Sequence, residues 1–204
     1  MNKVFASLLT VTLLFINCTY LVTFPEISHA NEKKSSSHEH GVGTLNIAIE
    51  SGRIEIELKV PADDITGFET KPTTVVQKEV VTENAGKLAR GAQIFIFPEN
   101  AECIMSNTEV VSALLENGTV INQQKKKHAH DDHKKHDDES AHSDFSATYR
   151  FNCAHTETVK KIDVKFFKFF PSTQKLLVQY ITPNKQGGLT LTPTSFRVFL
   201  AYNF

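Results

Sequence analysis

Residues 45–60 read LNIAIESGRIEIELKV, and two alternating apolar patterns meet there across Ser51-Gly52. Leu45, Ile47 and Ile49 alternate with polar or small residues before the turn, and Ile54, Ile56, Leu58 and Val60 do so after it. Successive side chains of a strand point to opposite faces, so each half has one apolar and one polar side. A two-residue link containing glycine between such runs is hairpin chemistry. The reading is an antiparallel hairpin with one buried face. A turn of that length sets Leu45 opposite Leu58 and, by the same count, His40 opposite Asp63 on the polar face.

Working outward, Pro61 ends the second strand and Gly67-Phe68-Glu69 leads to Pro72. From Thr74 to Arg90 the residues Val76, Val80, Val81, Ala85, Leu88 and Ala89 recur at helical spacing. Thr74 and Gln77 have capping-box spacing and Gly91 is placed as a stop, which predicts a helix. Its four valines and Gly86 lower its intrinsic propensity, so packing on the sheet must hold it. Ile94 to Phe97 and Cys103 to Met105 are short apolar elements, and Val110 to Leu115 fits strand or helix.

The C-terminal third returns to strand periodicity. Phe145, Ala147, Tyr149, Phe151 and Cys153 occupy alternate positions, as do Ile162, Val164 and Phe166. Phe167, Phe169 and Phe170 then break the phase, which predicts a bulge or a strand buried on both faces. Leu176 to Ile181, Leu189 to Leu191 and Phe196 to Tyr202 read as further strands, with Gly187-Gly188 in a turn. No βαβ rhythm recurs. The fold class expected is α+β, a mainly antiparallel sheet with one principal helix and a long disordered histidine-rich loop.

The chain has 204 residues, 40% of them hydrophobic, with fifteen phenylalanines and a net charge of −1. That suffices for one domain with a real core, and the charge balance gives no footprint for nucleic acid. Lys3 precedes an apolar run from Val4 to Ile16, and Ser28-His29-Ala30 offers small residues to a signal peptidase. The expectation is a cleaved signal peptide over residues 1–30, a single exported domain over 31–204 and no stable membrane insertion after cleavage. The competing readings are a retained anchor, since apolar residues continue to Phe24, and a lipoprotein acylated at Cys18.

Residues 125–142 read KKKHAHDDHKKHDDESAH and contain five of the nine histidines: His128, His130, His133, His136 and His142. Imidazole and carboxylate are ordinary ligands of divalent first-row metals, so residues 117–143 read as a disordered insertion that collects metal. Such a ligand set suits zinc, copper(II), nickel or cobalt, and no fixed geometry in the sequence decides between them. The bland alternative is a solvated polar loop, since its lysines and acids balance. A second cluster is His38-Glu39-His40, whose histidines share a side if the segment is extended; with Asp63 they form a hypothetical site. His155 is a further candidate ligand. Once Cys18 is removed with the signal, Cys103 and Cys153 remain and are expected to form a disulfide that encloses the insertion and ties it at its base.

The combination of His38-Glu39-His40-Gly41, Pro61-Ala62-Asp63, Gly67-Phe68-Glu69, a helix, and a histidine-rich insertion between two cysteines resembles the ZrgA-like family of zinc-regulated periplasmic proteins. The resemblance runs over essentially the whole mature chain. It implies a periplasmic zinc-binding protein that assists zinc acquisition, with a divalent metal ion and a zinc importer component as partners, and no known reaction. Thr70 stands where the family carries a histidine after Gly-Phe-Glu, which leaves Glu69 readable as a residue leading into the helix. Two rivals come from other classes. An exported metal-dependent hydrolase would gather His38, His40, Asp63 and Glu69 in a cleft. An envelope interaction domain would use the charged loop to bind a partner protein.

Overall fold

The computed structural model describes residues 39–116 and 143–200. The expected signal peptide, His38 and the loop histidines His128, His130, His133, His136 and His142 lie outside these residues.

The hairpin forms as read. Strands β1 (Val42–Glu50) and β2 (Arg53–Pro61) pair antiparallel with Leu45 opposite Leu58 and Ile47 opposite Ile56. Gly52 supplies the positive φ of the turn, +75°. Leu45, Ile47, Ile49, Ile54, Ile56, Leu58 and Val60 are all buried, so the alternation marks the inner face.

Two longer strands extend this sheet on one side. β4 (Cys103–Ser112), which follows a two-residue β3 (Phe95–Ile96), pairs antiparallel with β5 (Asp144–Cys153). β5 in turn pairs with β2, bringing Ile56 beside Tyr149. On the other side lie β7 (Lys175–Ile181) and β8 (Gln186–Leu191). The sheet order is β4-β5-β2-β1-β7-β8; β1 with β7 is parallel and the other pairings in it are antiparallel, so the sheet is mainly antiparallel, as expected, with one parallel pair that was not foreseen. A second, antiparallel sheet joins β3, β6 (Lys161–Val164) and β9 (Arg197–Phe199).

The helices are α1 (Ala62–Thr66), α2 (Val75–Leu88), α3 (Gly91–Ile94) and α4 (Phe166–Phe169). Helices and small sheet share one buried cluster with the large sheet's inner face. Phe95 meets Tyr149 edge to face at 5.0 Å and Phe97 meets Phe151 at 4.8 Å. The Tyr149 hydroxyl donates to the Leu88 carbonyl at the end of α2, 2.9 Å away, and burial pushes its pKa above the ordinary tyrosine value.

Four local expectations give way to packing. In α2 only Val81, Ala85 and Leu88 are buried, while Val76 is exposed and Val80 is half-buried. Gly91 does not stop α2; it opens α3, where a Cβ would lie 2.4 Å from the Tyr149 ring. The Phe166–Phe169 run breaks strand phase because it is a turn of helix, burying Phe166 and Phe167. Gly187 and Gly188 lie within β8 rather than in a turn; a Cβ on Gly187 would sit 2.6 Å from the hydroxyl of its cross-strand partner Tyr180.

Cys103 and Cys153 are disulfide-bonded and directly opposed in the β4–β5 ladder. The bond does enclose the insertion, but it does not tie its base. It closes the ladder at one end, and the insertion leaves from the other, beyond the pairing of Ser112 with Phe145.

Candidate metal centre

The segment before β1 forms a tight turn. Val42 N–H donates to the Glu39 carbonyl at 3.0 Å, and Gly41 sits third in the turn with φ +80°. A type II turn requires positive φ at that position, which glycine adopts without steric cost, so His40-Gly41 is turn chemistry as well as ligand chemistry. Three further bonds hold the glycine. Its N–H donates to Asp64 Oδ1 at 2.9 Å, and its carbonyl accepts from Gln174 N–H at 2.8 Å and Lys175 N–H at 2.9 Å.

Across from this turn, Pro61 leads β2 directly into α1, whose first turn carries Asp63 and Asp64. Gly67 closes α1 in the left-handed conformation, φ 82°, and its N–H donates to the Asp63 carbonyl at 2.7 Å. The Thr66 hydroxyl lies 2.9 Å from the Ala62 carbonyl and 2.7 Å from the Phe68 carbonyl, folding the chain back on the helix. Glu69 therefore returns towards His40.

The outcome is an imidazole between two carboxylates. His40 Nδ1 lies 3.2 Å from Asp63 Oδ2, and its Nε2 lies 3.3 Å from Glu69 Oε1. Ligand atoms of His40, Asp63 and Asp64 all fall within 4.8 Å of one another, the spread expected of groups able to converge on one small cation. The His40 side chain is 57% exposed and Asp63 40%, whereas Asp64 as a whole is 5% exposed. The site is thus an open corner with nitrogen and oxygen donors, a set that suits zinc and its first-row neighbours.

Residues 37–200 match the family described as ZrgA family zinc uptake protein, about four fifths of the chain's 204 residues. The chain belongs to the ZrgA family. A zinc-related role follows, and the His40, Asp63 and Asp64 group gives zinc a chemically suitable place to bind. Comparison with curated proteins returns no match. Among the described residues, no helix is long and apolar enough to cross a membrane.

Of the residues singled out by sequence, the structure brings His40 and Asp63 together. His155 stands at the other end of the sheet: Cys153 N–H donates to the Gly52 carbonyl at the β1–β2 turn, and His155 Nδ1 lies 3.3 Å from Glu157 Oε1. The nine residues of β1 set these ends roughly 30 Å apart at the usual strand rise. Glu69 does not lead into α2, which begins after Thr74; it faces His40 instead. Thr70 is exposed beside it. Asp64 was missed; the doublet Asp63-Asp64 after Pro61-Ala62 was the available signal, and only the backbone turn of α1 aims one acid outward and the next inward.

Proposed function

We propose that this ZrgA family member is a periplasmic zinc-binding protein that captures or buffers zinc and assists its uptake. The observation that carries the reading is the corner at His40, where the Asp63 and Glu69 carboxylates approach the two ring nitrogens while the imidazole and Asp63 stay open to solvent. An exposed site of this kind lets a hydrated cation enter and leave, which suits transfer better than chemistry on a sequestered substrate.

The histidine-rich insertion is the second zinc-collecting part of the proposal, through His128, His130, His133, His136 and His142, with His38 as a further ligand beside His40. Its attachment supports the pairing of the two parts. Ala62 N–H donates to the Ser143 carbonyl at 2.8 Å, so the last residue of the insertion, directly after His142, is bonded to the residue directly before Asp63. Zinc held near that end of the insertion has a short path to the corner, and a zinc importer component of the envelope would take it onward.

Metal analysis and calorimetric titration with zinc test the reading, comparing the chain with one lacking residues 125–142 and with a His40→Ala, Asp63→Asn double variant. Deletion and double substitution should each lower the zinc bound per chain, and together should abolish binding. A chain that stays metal-free in excess zinc near neutrality would sink the proposal.

A further inference from the structure

Asp64 is nearly invisible from solvent, yet it belongs to the same group of potential ligands as His40 and Asp63. Its two oxygens are directed inward. Oδ1 accepts from Gly41 N–H at 2.9 Å, and Oδ2 accepts from the Thr173 hydroxyl at 3.0 Å; Thr173 is fully buried. We infer that Asp64 is a positioning residue rather than a zinc ligand, joining the His40-Gly41 turn to Thr173 so that the imidazole is held over Asp63. The inference rests on the reading of the corner as the zinc site and assigns the two neighbouring acids opposite roles.

The physical argument is one of geometry and satisfaction. A buried carboxylate is tolerated when hydrogen bonds replace its water, and the two donors here do so. They come from segments far apart in sequence, the turn before β1 and the turn before β7. The segment carrying Thr173 also grips the same glycine, since Gln174 and Lys175 N–H both donate to the Gly41 carbonyl. Gly41 is therefore clamped on its N–H through Asp64 and on its carbonyl by the backbone. Its neighbour His40 thus projects from a fixed backbone beside Asp63 and Glu69. An outer carboxylate that orients a metal-binding histidine typically changes metal affinity about ten- to hundred-fold when removed.

The two roles separate by isosteric substitution. In the full chain with the five loop histidines changed to serine, zinc affinity would be measured by competition with a chromogenic chelator, and folding by urea denaturation. Asp64→Asn keeps an oxygen for Gly41 N–H and places an amide beside Thr173, whose hydroxyl can accept from it. It should retain zinc affinity within about threefold, whereas Asp63→Asn should lose far more, since a direct ligand is expected to outweigh the roughly ten- to hundred-fold of an orienting group. Thr173→Val should weaken zinc about tenfold while Thr173→Ser restores it, a rescue that holds even if Asp64→Ala does not fold. If Asp64→Asn falls as far as Asp63→Asn, Asp64 is a ligand and the inference is overturned. If Asp63→Asn and His40→Ala leave affinity unchanged, the zinc corner itself is wrong, and the role of Asp64 falls with it.

Discussion

Tyr149 takes a hydroxyl into the centre of the core, where water cannot reach it, and spends it on the last carbonyl of α2. Because Leu88 is as buried as the tyrosine, Tyr149→Phe leaves that carbonyl without its donor at nearly constant packing. The expected loss is about 1–2 kcal/mol, read as a lower urea midpoint with an unchanged m-value. At this scale the sequence was informative where a residue's partner follows from strand counting. Leu45 and Leu58 could be matched because the hairpin turn fixes which positions face each other; the same count brings His40 near Asp63, although His40 lies in the turn before β1 and Asp63 in α1, not on facing strands. The contact of Asp63 with His40, the inward aim of Asp64 and the return of Glu69 all depend on a five-residue helix and on the positive φ of Gly67.

Helix α2 shows why elements are harder to bound than to detect. Its first turn carries Val75 and Val76 at 71% and 68% exposure, so burial contributes little there. The capping box between Thr74 and Gln77 does the holding, with Gln77 N–H donating to the Thr74 hydroxyl at 3.2 Å. Thr74→Ala should therefore cost about 1 kcal/mol and raise amide exchange over the first turn before the rest of the helix. The periodicity of Val81, Ala85 and Leu88 was legible because a single stripe meets the sheet. The role of Gly91 was not, since the ring that forbids a side chain there comes from Tyr149 on a strand beyond the insertion. The phenylalanines of α4 misled for a related reason: a four-residue helix buried on one side has the composition of a strand and is too short to show its own period.

For the whole molecule, the disulfide and the order of the sheet decide what is held and when. The bond spans 50 residues of sequence. On the chain-entropy account a closed loop of that size stabilises by about 4 kcal/mol. A Cys103→Ser, Cys153→Ser double variant should unfold at correspondingly lower urea, while zinc binding at the corner persists in the folded fraction, because the bond sits at the far end of the β4–β5 ladder. Strand composition announced a sheet-rich α+β chain, but the parallel pairing of β1 with β7 has no local signature; it is a choice made between segments that only the full set of edges resolves. That pairing governs the order of assembly. As the polypeptide emerges from its N-terminus, β2 follows β1 at once, while the opposite margin of β1 stays bare until Lys175–Ile181 arrives. A nascent chain passing through that interval offers a naked ribbon to any neighbour, and a holdase that shields such margins is the helper this topology most needs.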